Sequence, residues 1–240
     1  MVSKHIANAI EIVSSFMDHR YPVDIESICK ELGIKVKDNR SLDKDGYLIC
    51  QNGKKIILVN SQITNRHRKR FVIAHELGHF LLHRAQLYSC DNVSEAANQN
   101  VNNQEQEKEA NAFASELLIP RDEINKYLPM GPVDFSSVFK IAEVFDVSVT
   151  HAAMQAVQAS NAESEILICY DKQKRKWYTT ADRYVSSSMV PYQCPVCLPS
   201  VDAKLDITGP WNKLYHGSVH QEIFSPFENQ YLVLLSGNRL

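Results

Sequence analysis

One apolar segment, RFVIAHELGHFLLH (Arg70 to His83), carries three histidines and a glutamate in a run with the periodicity of a helix. His75 and His79 are four residues apart, and Glu76 directly follows the first of them, which gives the pattern H-E-x-x-H. Histidines with this spacing project from the same helix face, one turn apart. Two such imidazoles can converge on one Zn²⁺ ion at about 2.0–2.1 Å, while the glutamate reaches a water molecule on the metal. The segment therefore predicts a helix with two metal ligands and a general base.

Two other interpretations of the segment are weaker. If the histidines only bonded to backbone carbonyls in a core, Glu76 would be buried without a partner, which is unfavourable. A catalytic zinc site also needs a third protein ligand, and His83 is the nearest candidate. It lies eight residues after His75, about 12 Å further along the same helix, so a straight helix cannot bring both to one ion. We expect His83 to end the helix or to support a ligand.

The third ligand is predicted on EQEKEANAFASELLIP, a helical segment that ends before Pro120. Glu107 falls on a stripe about 100° wide that is otherwise apolar or small, so we expect a buried carboxylate for which a metal is a natural partner. Glu109 points about 200° away and is the weaker candidate. Asn111, one turn after Glu107, is placed to orient a histidine ligand. The alternative is a solvated acidic helix start, which the helix dipole favours.

Together, HELGHFLLH and EKEANAFASELLIP resemble the ImmA/IrrE family of metallo-endopeptidases. The family pattern is H-E-L-G-H, then E-x-x-A-N-x-F-A-x-x-L-L-x-P, and the resemblance covers about residues 5–158. By position it implies that His75, His79 and Glu107 hold Zn²⁺ and that Glu76 is the catalytic base. It also implies a cytoplasmic enzyme, often encoded on mobile elements, whose protein substrate is a helix-turn-helix transcriptional repressor.

The sequence predicts an α+β fold with two domains. Residues 1–160 are expected to form a mostly helical, zincin-like metallopeptidase domain with a small β-sheet, and residues 161–240 a small β-rich accessory domain. YLICQNGKKIILVN predicts a hairpin around Asn52-Gly53, whose edge strand can hold an extended peptide by β-augmentation. SCDNVSEAANQNVNNQ, residues 89–104, predicts a polar loop. SEILICYDKQKRKWYTT and NQYLVLLSG predict strands in the second domain.

Composition limits the partners. The formal net charge is −2, which gives no general footprint for nucleic acid. VFKIAEVFDVSVTHAAMQAV has helix-turn-helix spacing, but its second helix contains no Arg or Lys, so we expect it to pack on the catalytic helices rather than bind DNA directly.

The first 20 residues lack the features of a signal peptide, and no apolar run predicts a membrane span. The six scattered cysteines fit reduced thiols in the cytoplasm.

Two features of the sequence leave alternatives open. Cys194 and Cys197 form C-x2-C, and His216 and His220 form H-x3-H after a gap of 18 residues, which exceeds the common zinc-finger range. They indicate either a second, structural zinc site or two thiols at a turn with two surface histidines. The chain also fits a non-cleaving regulatory or interaction protein that binds a repressor partner and keeps a structural or sensing metal site.

A zinc peptidase also needs a donor for the oxyanion of its tetrahedral intermediate. His151, Tyr127 and Arg121 are possible donors by residue type, and nothing in the sequence distinguishes among them.

Overall fold

The computed structural model describes residues 3–17, 20–83, 99–160, 164–182, 184–194, 205–206, 211 and 213–239. Backbone contacts divide the chain into two units, Met1–Pro120 and Arg121–Leu240. The boundary predicted near residue 160 from composition falls inside the second unit and stays a prediction. Each unit contains helices and one small sheet, so the predicted α+β class is confirmed.

The first unit contains four helices and three strands among its described residues. In chain order they are α1 (Lys4–Ser14), α2 (Ile25–Glu31), β1 (Lys35–Asn39), β2 (Gly46–Gln51), β3 (Lys54–Asn60), α3 (Arg66–Leu82) and α4 (Gln99–Leu118). Three of these helices have side-chain caps that satisfy their first backbone N–H groups. The Ser3 hydroxyl accepts from the Ile6 N–H at 3.4 Å before α1. The Asp24 carboxylate accepts from the Ser27 N–H at 3.0 Å before α2, and Asn65 accepts from the Arg68 N–H at 3.1 Å before α3.

The three strands form one sheet in the order β1-β3-β2, with β1 parallel and β2 antiparallel to β3. The predicted hairpin is confirmed: β2 and β3 are joined by Asn52 and Gly53, which both have positive φ, 52° and 72°. Two successive residues of this kind match the tight turn that suits the twist of a hairpin. The sheet leaves β2 at an edge, next to α3.

Helices α3 and α4 pack closely against each other. Helix α4 begins at Gln99, so the predicted polar loop is wrong for residues 99–104, and its residues 84–98 lie outside the described part of the chain. Tertiary packing stabilises this helix at residues 110–118, and each residue added at its start then gains one backbone hydrogen bond. This gain outweighs the preference of the polar residues for a loop. None of the described helices combines the length and apolar character that crossing a membrane requires.

Among its described residues, the second unit combines three helices with an antiparallel sheet in the order β5-β4-β8-β7-β6. Its elements are α5 (Arg121–Ile124), α6 (Phe135–Phe145), α7 (Val149–Ala159), β4 (Ile166–Asp171), β5 (Lys174–Thr180), β6 (Leu205–Asp206), β7 (Tyr215–Phe227) and β8 (Gln230–Arg239). One sheet face packs on an apolar cluster that includes Trp211 and Val190. The predicted β-rich C-terminal region is thereby confirmed.

Helices α6 and α7 pack against this sheet, a packing partner that the sequence pattern did not identify. The rings of Phe135 and Phe139 lie 5.5 and 5.1 Å from the Phe224 ring. Two buried carboxylates bind the start of α6: Glu165 accepts from the Val133 N–H, just before the helix, and Glu222 from the N–H of Phe135, its first residue, both at 2.7 Å. The helix pair therefore has a packing role in the second unit.

Candidate metal centre

His75 and His79 lie one turn apart on α3 and point to a common position. Their Nε2 atoms are 3.1 Å apart, and only 16 % of the His75 side chain and 15 % of the His79 side chain is exposed to solvent. Burial, with the His75 ring beside it, lowers the pKa of His79 to about 4. Because a neutral imidazole keeps one nitrogen lone pair, His79 is a competent metal ligand at neutral pH.

Glu107 on α4 meets both imidazoles. Its carboxylate oxygens lie 3.2 Å from His75 Nε2 and 3.4 Å from His79 Nε2. The close approach of the helices depends on Gly78, since a Cβ there would lie 3.2 Å from the backbone of Ala110. The expectation of a buried carboxylate is wrong, because the Glu107 side chain is 52 % exposed. It lies at the rim of the helix interface and extends into an open cleft, whereas Ala110 in the same stripe is fully buried.

The residues present fit a zinc ion. The ligand atoms of His75, His79 and Glu107 all lie within 4.8 Å of one another. In a tetrahedral site with bonds of about 2.0 Å, ligand atoms are about 3.3 Å apart. The two Nε2 atoms are 3.1 Å apart, and the nearest oxygen of Glu107 lies at 3.2 Å (Oε2) from His75 and at 3.4 Å (Oε1) from His79. Two imidazoles and a carboxylate are also a donor set typical of catalytic zinc. Within the described residues, this is the group of His, Cys, Asp and Glu side chains arranged to hold a metal.

Asn111 orients the first histidine, as the spacing on α4 predicts. Its Oδ1 lies 3.0 Å from His75 Nδ1. Since a carbonyl oxygen only accepts hydrogen bonds, the proton of neutral His75 is on Nδ1, and Nε2 is left free to bind a metal.

His83 is the C-cap residue of α3 and is buried, with 8 % of its surface exposed. Its Nδ1 is 3.1 Å from Nδ1 of His79, and its Nε2 is 3.0 Å from a carboxylate oxygen of Glu109. The expectation that His83 ends the helix is confirmed, and it contacts a candidate ligand rather than the metal position. Glu109, expected to face solvent, lies within hydrogen-bond distance of His83 and is 45 % exposed.

Glu76 lies beside the three ligands and is buried, with 8 % exposure. Burial raises the pKa of Glu76 to about 7, and the charge of Glu107 acts in the same direction. The Leu48 N–H and the Lys44 ammonium oppose this rise in pKa. Strand β2 comes close to the glutamate because Gly46 has no side chain: a Cβ there would lie 3.1 Å from the Glu76 carboxylate and 2.5 Å from Val72.

The ligands open onto a cleft of about 530 Å³. One wall is formed by residues 44–48, which lead into edge strand β2, and the other walls by α3 and α4. The sequence pattern did not identify Lys44 and Tyr47 as residues of the cleft wall, although both lie shortly before the predicted hairpin turn. The Lys44 ammonium lies 5.7 Å from the centre of the Tyr47 ring. The described wall of the cleft therefore places a lysine ammonium next to an aromatic ring.

The three residues considered as oxyanion donors belong to the second unit, where each has other contacts. Arg121 donates to the Gln158 carbonyl at 2.5 Å, and Tyr127 packs edge-on against Phe145 at 5.7 Å. Burial lowers the pKa of His151 to about 4. These contacts account for the three residues as parts of the second unit, and a catalytic role for any of them stays a prediction.

The structure does not decide between the two interpretations of the C-terminal cysteines and histidines, because Cys197 lies outside the described residues. Cys194 is partly buried against the apolar cluster of the second unit, and His220 lies 3.2 Å from the Glu222 carboxylate. Whether Cys194, Cys197, His216 and His220 form a structural zinc site, or are two thiols at a turn and two surface histidines, stays open.

Comparison with known proteins decides the family. Residues 29–156, more than half of the chain, match the peptidase M78 family, which is described as an IrrE N-terminal-like domain. The chain belongs to this family. The resemblance found in the sequence is thereby confirmed, and the His-His-Glu cluster lies within the matched residues of this metallopeptidase family.

The fold of this peptidase M78 member is also found in a solved structure, a transcriptional regulator from Mycobacterium tuberculosis. The two chains superpose with a TM-score of 0.62 at 14 % sequence identity, and the match covers 98 % of this chain and 77 % of the other. At this identity the likeness concerns the fold alone. A comparison with curated proteins found no match.

Proposed function

We propose that the chain is a zinc-dependent endopeptidase that cleaves a helix-turn-helix transcriptional repressor in the cytoplasm. The observation that carries the proposal is the convergence of His75, His79 and Glu107 on one position, with the buried carboxyl group of Glu76 beside it. Membership of the peptidase M78 family supports a metallopeptidase. The open cleft in front of these residues supports a substrate that is a chain rather than a small molecule.

The proposed reaction is hydrolysis of a peptide bond. His75, His79 and Glu107 would hold a Zn²⁺ ion, which would supply the Lewis acidity that acidifies a water molecule and polarises the scissile carbonyl. Glu76 accepts a proton from the attacking water and passes it to the leaving amine. Lys44, in the cleft wall, is placed to donate a hydrogen bond to the substrate, whereas the Tyr47 hydroxyl donates to the Asp43 carboxylate at 2.5 Å.

The proposed substrate is bound as an extended segment. Strand β2 pairs with β3 on one side, and its other edge borders the cleft among the described residues. An extended peptide can add to such an edge through backbone hydrogen bonds, while side pockets select its side chains. Phe71 and Leu48 line the cleft and offer apolar contacts. The family resemblance of the motifs, together with the regulator that shares the fold, supports a target in transcription control.

A second candidate is a non-cleaving regulatory protein that keeps the metal site and acts by binding a repressor. The observation that favours it is that the solved chain with this fold is named a transcriptional regulator, not a peptidase. The buried Glu76 favours the enzyme, because a structural metal site has no need of a buried general base.

The experiment that separates these candidates mixes the purified full-length chain, loaded with one equivalent of Zn²⁺, with the repressor encoded next to it. The peptidase yields defined repressor fragments by mass spectrometry, and a chelator prevents their formation. If the zinc-loaded chain binds the repressor and leaves it intact under the inducing condition, the regulatory alternative is correct.

A further inference from the structure

Behind the metal centre, three side chains form a continuous line: His79, His83 and Glu109. The two Nδ1 atoms of His79 and His83 are 3.1 Å apart, and His83 Nε2 is 3.0 Å from Glu109 Oε2. His83 is buried, whereas the Glu109 side chain is 45 % exposed. The line therefore runs from the centre, through a buried ring, to a carboxylate at the protein surface.

The chemistry of these groups allows one arrangement of protons when both rings are neutral. An ionised carboxylate only accepts hydrogen bonds, so the proton of His83 is on Nε2, where it donates to Glu109. Nδ1 of His83 then carries a lone pair and accepts, so the proton of His79 must be on Nδ1. This leaves the lone pair of His79 Nε2 directed at His75 and Glu107.

The arrangement explains why His83 is buried at the end of a helix although it is not a ligand. A histidine that binds a metal usually donates its other N–H to a carboxylate, a carbonyl or a water, which fixes its tautomer and makes it a stronger ligand. His75 has the Asn111 carbonyl oxygen for this purpose. His79 meets no carboxylate directly at Nδ1 among its described contacts, and the His83 ring bridges the distance to Glu109.

We propose that His83 and Glu109 are positioning residues of the metal centre, which hold His79 in its metal-binding tautomer through a histidine-to-carboxylate relay. The inference rests on the proposed zinc site and extends it by two residues. It also assigns a function to a histidine and a glutamate that lie beside the H-E-x-x-H and Glu107 motifs on the same two helices.

The test is zinc affinity, measured on the full-length chain by competition with a chromophoric chelator. His83→Phe keeps a ring in the buried space but removes both nitrogens, and His83→Asn keeps an acceptor oxygen near the position of Nδ1. Loss of a group that orients a metal ligand weakens metal binding about 10–100-fold. We expect this loss in His83→Phe, and we expect His83→Asn to recover most of it. A merely structural role for the ring would give the opposite order, because Phe fills the space better than Asn.

Glu109→Gln tests the carboxylate, because the amide keeps an acceptor but loses the charge. We expect zinc affinity to fall about tenfold, the lower end of the range for such groups. The matched control is Glu105→Gln, an exposed glutamate on the same helix, which should leave zinc affinity within about twofold of wild type if only the positioning contact matters. Equal affinities for the Glu109→Gln and Glu105→Gln variants would overturn the role of Glu109.

A second measurement uses the wild-type chain and does not depend on any variant folding. Long-range ¹H–¹⁵N NMR spectra of the zinc-loaded protein report which ring nitrogen carries a proton. The proposal requires a proton on Nδ1 of His79 and on Nε2 of His83, with Nδ1 of His83 unprotonated. A proton on Nδ1 of His83 would overturn the relay.

The outcomes also separate this inference from the proposed function. If wild type binds zinc tightly and His83→Phe binds it equally well, the relay is wrong and the metallopeptidase proposal is unaffected. If wild type binds no zinc, both proposals are wrong.

Discussion

Each group of the candidate centre takes its chemical state from one or two immediate neighbours. Asn111 sets the tautomer of His75, and burial with the charge of Glu107 raises the pKa of Glu76 to about 7. Glu107 itself stays half-exposed at the cleft rim. Two glutamates therefore have different roles in the same site. Glu107 faces the position where a metal would bind, whereas Glu76 is enclosed and suited to transfer protons.

Substitution of the base should separate chemistry from metal binding. Glu76→Gln keeps the size of the side chain but cannot accept a proton, so we expect cleavage to fall about 10²–10⁴-fold, with zinc still bound. Repressor cleavage followed by gel or mass spectrometry, together with zinc content, checks this. Cleavage by the variant at the wild-type rate would show that Glu76 is not the base.

Substitution of the third ligand, Glu107, should weaken zinc binding and abolish cleavage together. Glu107→Gln replaces a charged donor with a neutral amide at the position that faces both imidazoles. We expect weaker zinc binding, and loss of cleavage at zinc concentrations that saturate wild type. Chelator competition measures the affinity. If the variant keeps wild-type zinc affinity, Glu107 is not a ligand.

The raised pKa of Glu76 also predicts how stability depends on pH in the metal-free chain. The folded chain holds this proton more tightly than the unfolded chain. The contribution of Glu76 to the free energy of unfolding is therefore fully present below its ordinary pKa of 4.5 and is lost as pH rises to about 7. The shift corresponds to about 3 kcal/mol. Denaturant unfolding of wild type and Glu76→Gln at pH 4.5 and pH 8 tests this, and parallel pH profiles would contradict it.

At the scale of secondary-structure elements, the centre depends on how closely α4 and β2 approach α3. Two glycines permit these approaches: Gly78 faces Ala110 and the Phe113 ring across the helix pair, and Gly46 faces Val72 and Glu76. Periodicity predicts the helices and the strand themselves, but their separation depends on which positions lack a side chain.

Adding a methyl group at the helix contact should therefore damage the metal site. In Gly78→Ala the new Cβ would lie 3.0 Å from the Phe113 ring and 3.2 Å from the Ala110 backbone, so the helices must move apart. Helix propensity alone favours Ala over Gly by about 1 kcal/mol, whereas overpacking costs about 1–3 kcal/mol. We expect a lower melting temperature and weaker zinc binding.

Gly131→Ala is the control for this substitution, because nothing lies within 4 Å of a Cβ at that position. It should leave the melting temperature and zinc affinity close to those of wild type. A Gly78→Ala variant that is as stable as wild type and binds zinc equally well would show that the helix spacing is not limiting.

At the scale of the whole molecule, the described chain has two units with separate cores. The metal centre belongs entirely to the first unit. In the second unit, Glu165 and Glu222 are buried and accept hydrogen bonds from backbone N–H groups at the start of α6. These long-range hydrogen bonds attach the helix pair to the C-terminal sheet, so the pair and the sheet should lose stability together.

Removal of one of these carboxylates tests that coupling. Glu222→Ala leaves the buried Phe135 N–H without this acceptor, which costs about 1–3 kcal/mol. We expect faster amide hydrogen exchange in both α6 and β4, measured by mass spectrometry. Glu228→Ala, at an exposed position of the same hairpin, should not change exchange in either element. Faster exchange confined to β7 would contradict a shared core.

The sequence by itself determined the helix of H-E-x-x-H, the hairpin at Asn52-Gly53 and the α+β class, because these depend on periodicity and on turn residues close together in the chain. It also selected His75, His79 and Glu107, which the structure brings together. Only the tertiary structure decided that Glu107 lies at an open rim, that His83 meets Glu109, and that α6 and α7 pack on the C-terminal sheet. Each of these results from contacts between segments far apart in sequence, and local patterns carry no information about which distant side chain fills the space beside a residue.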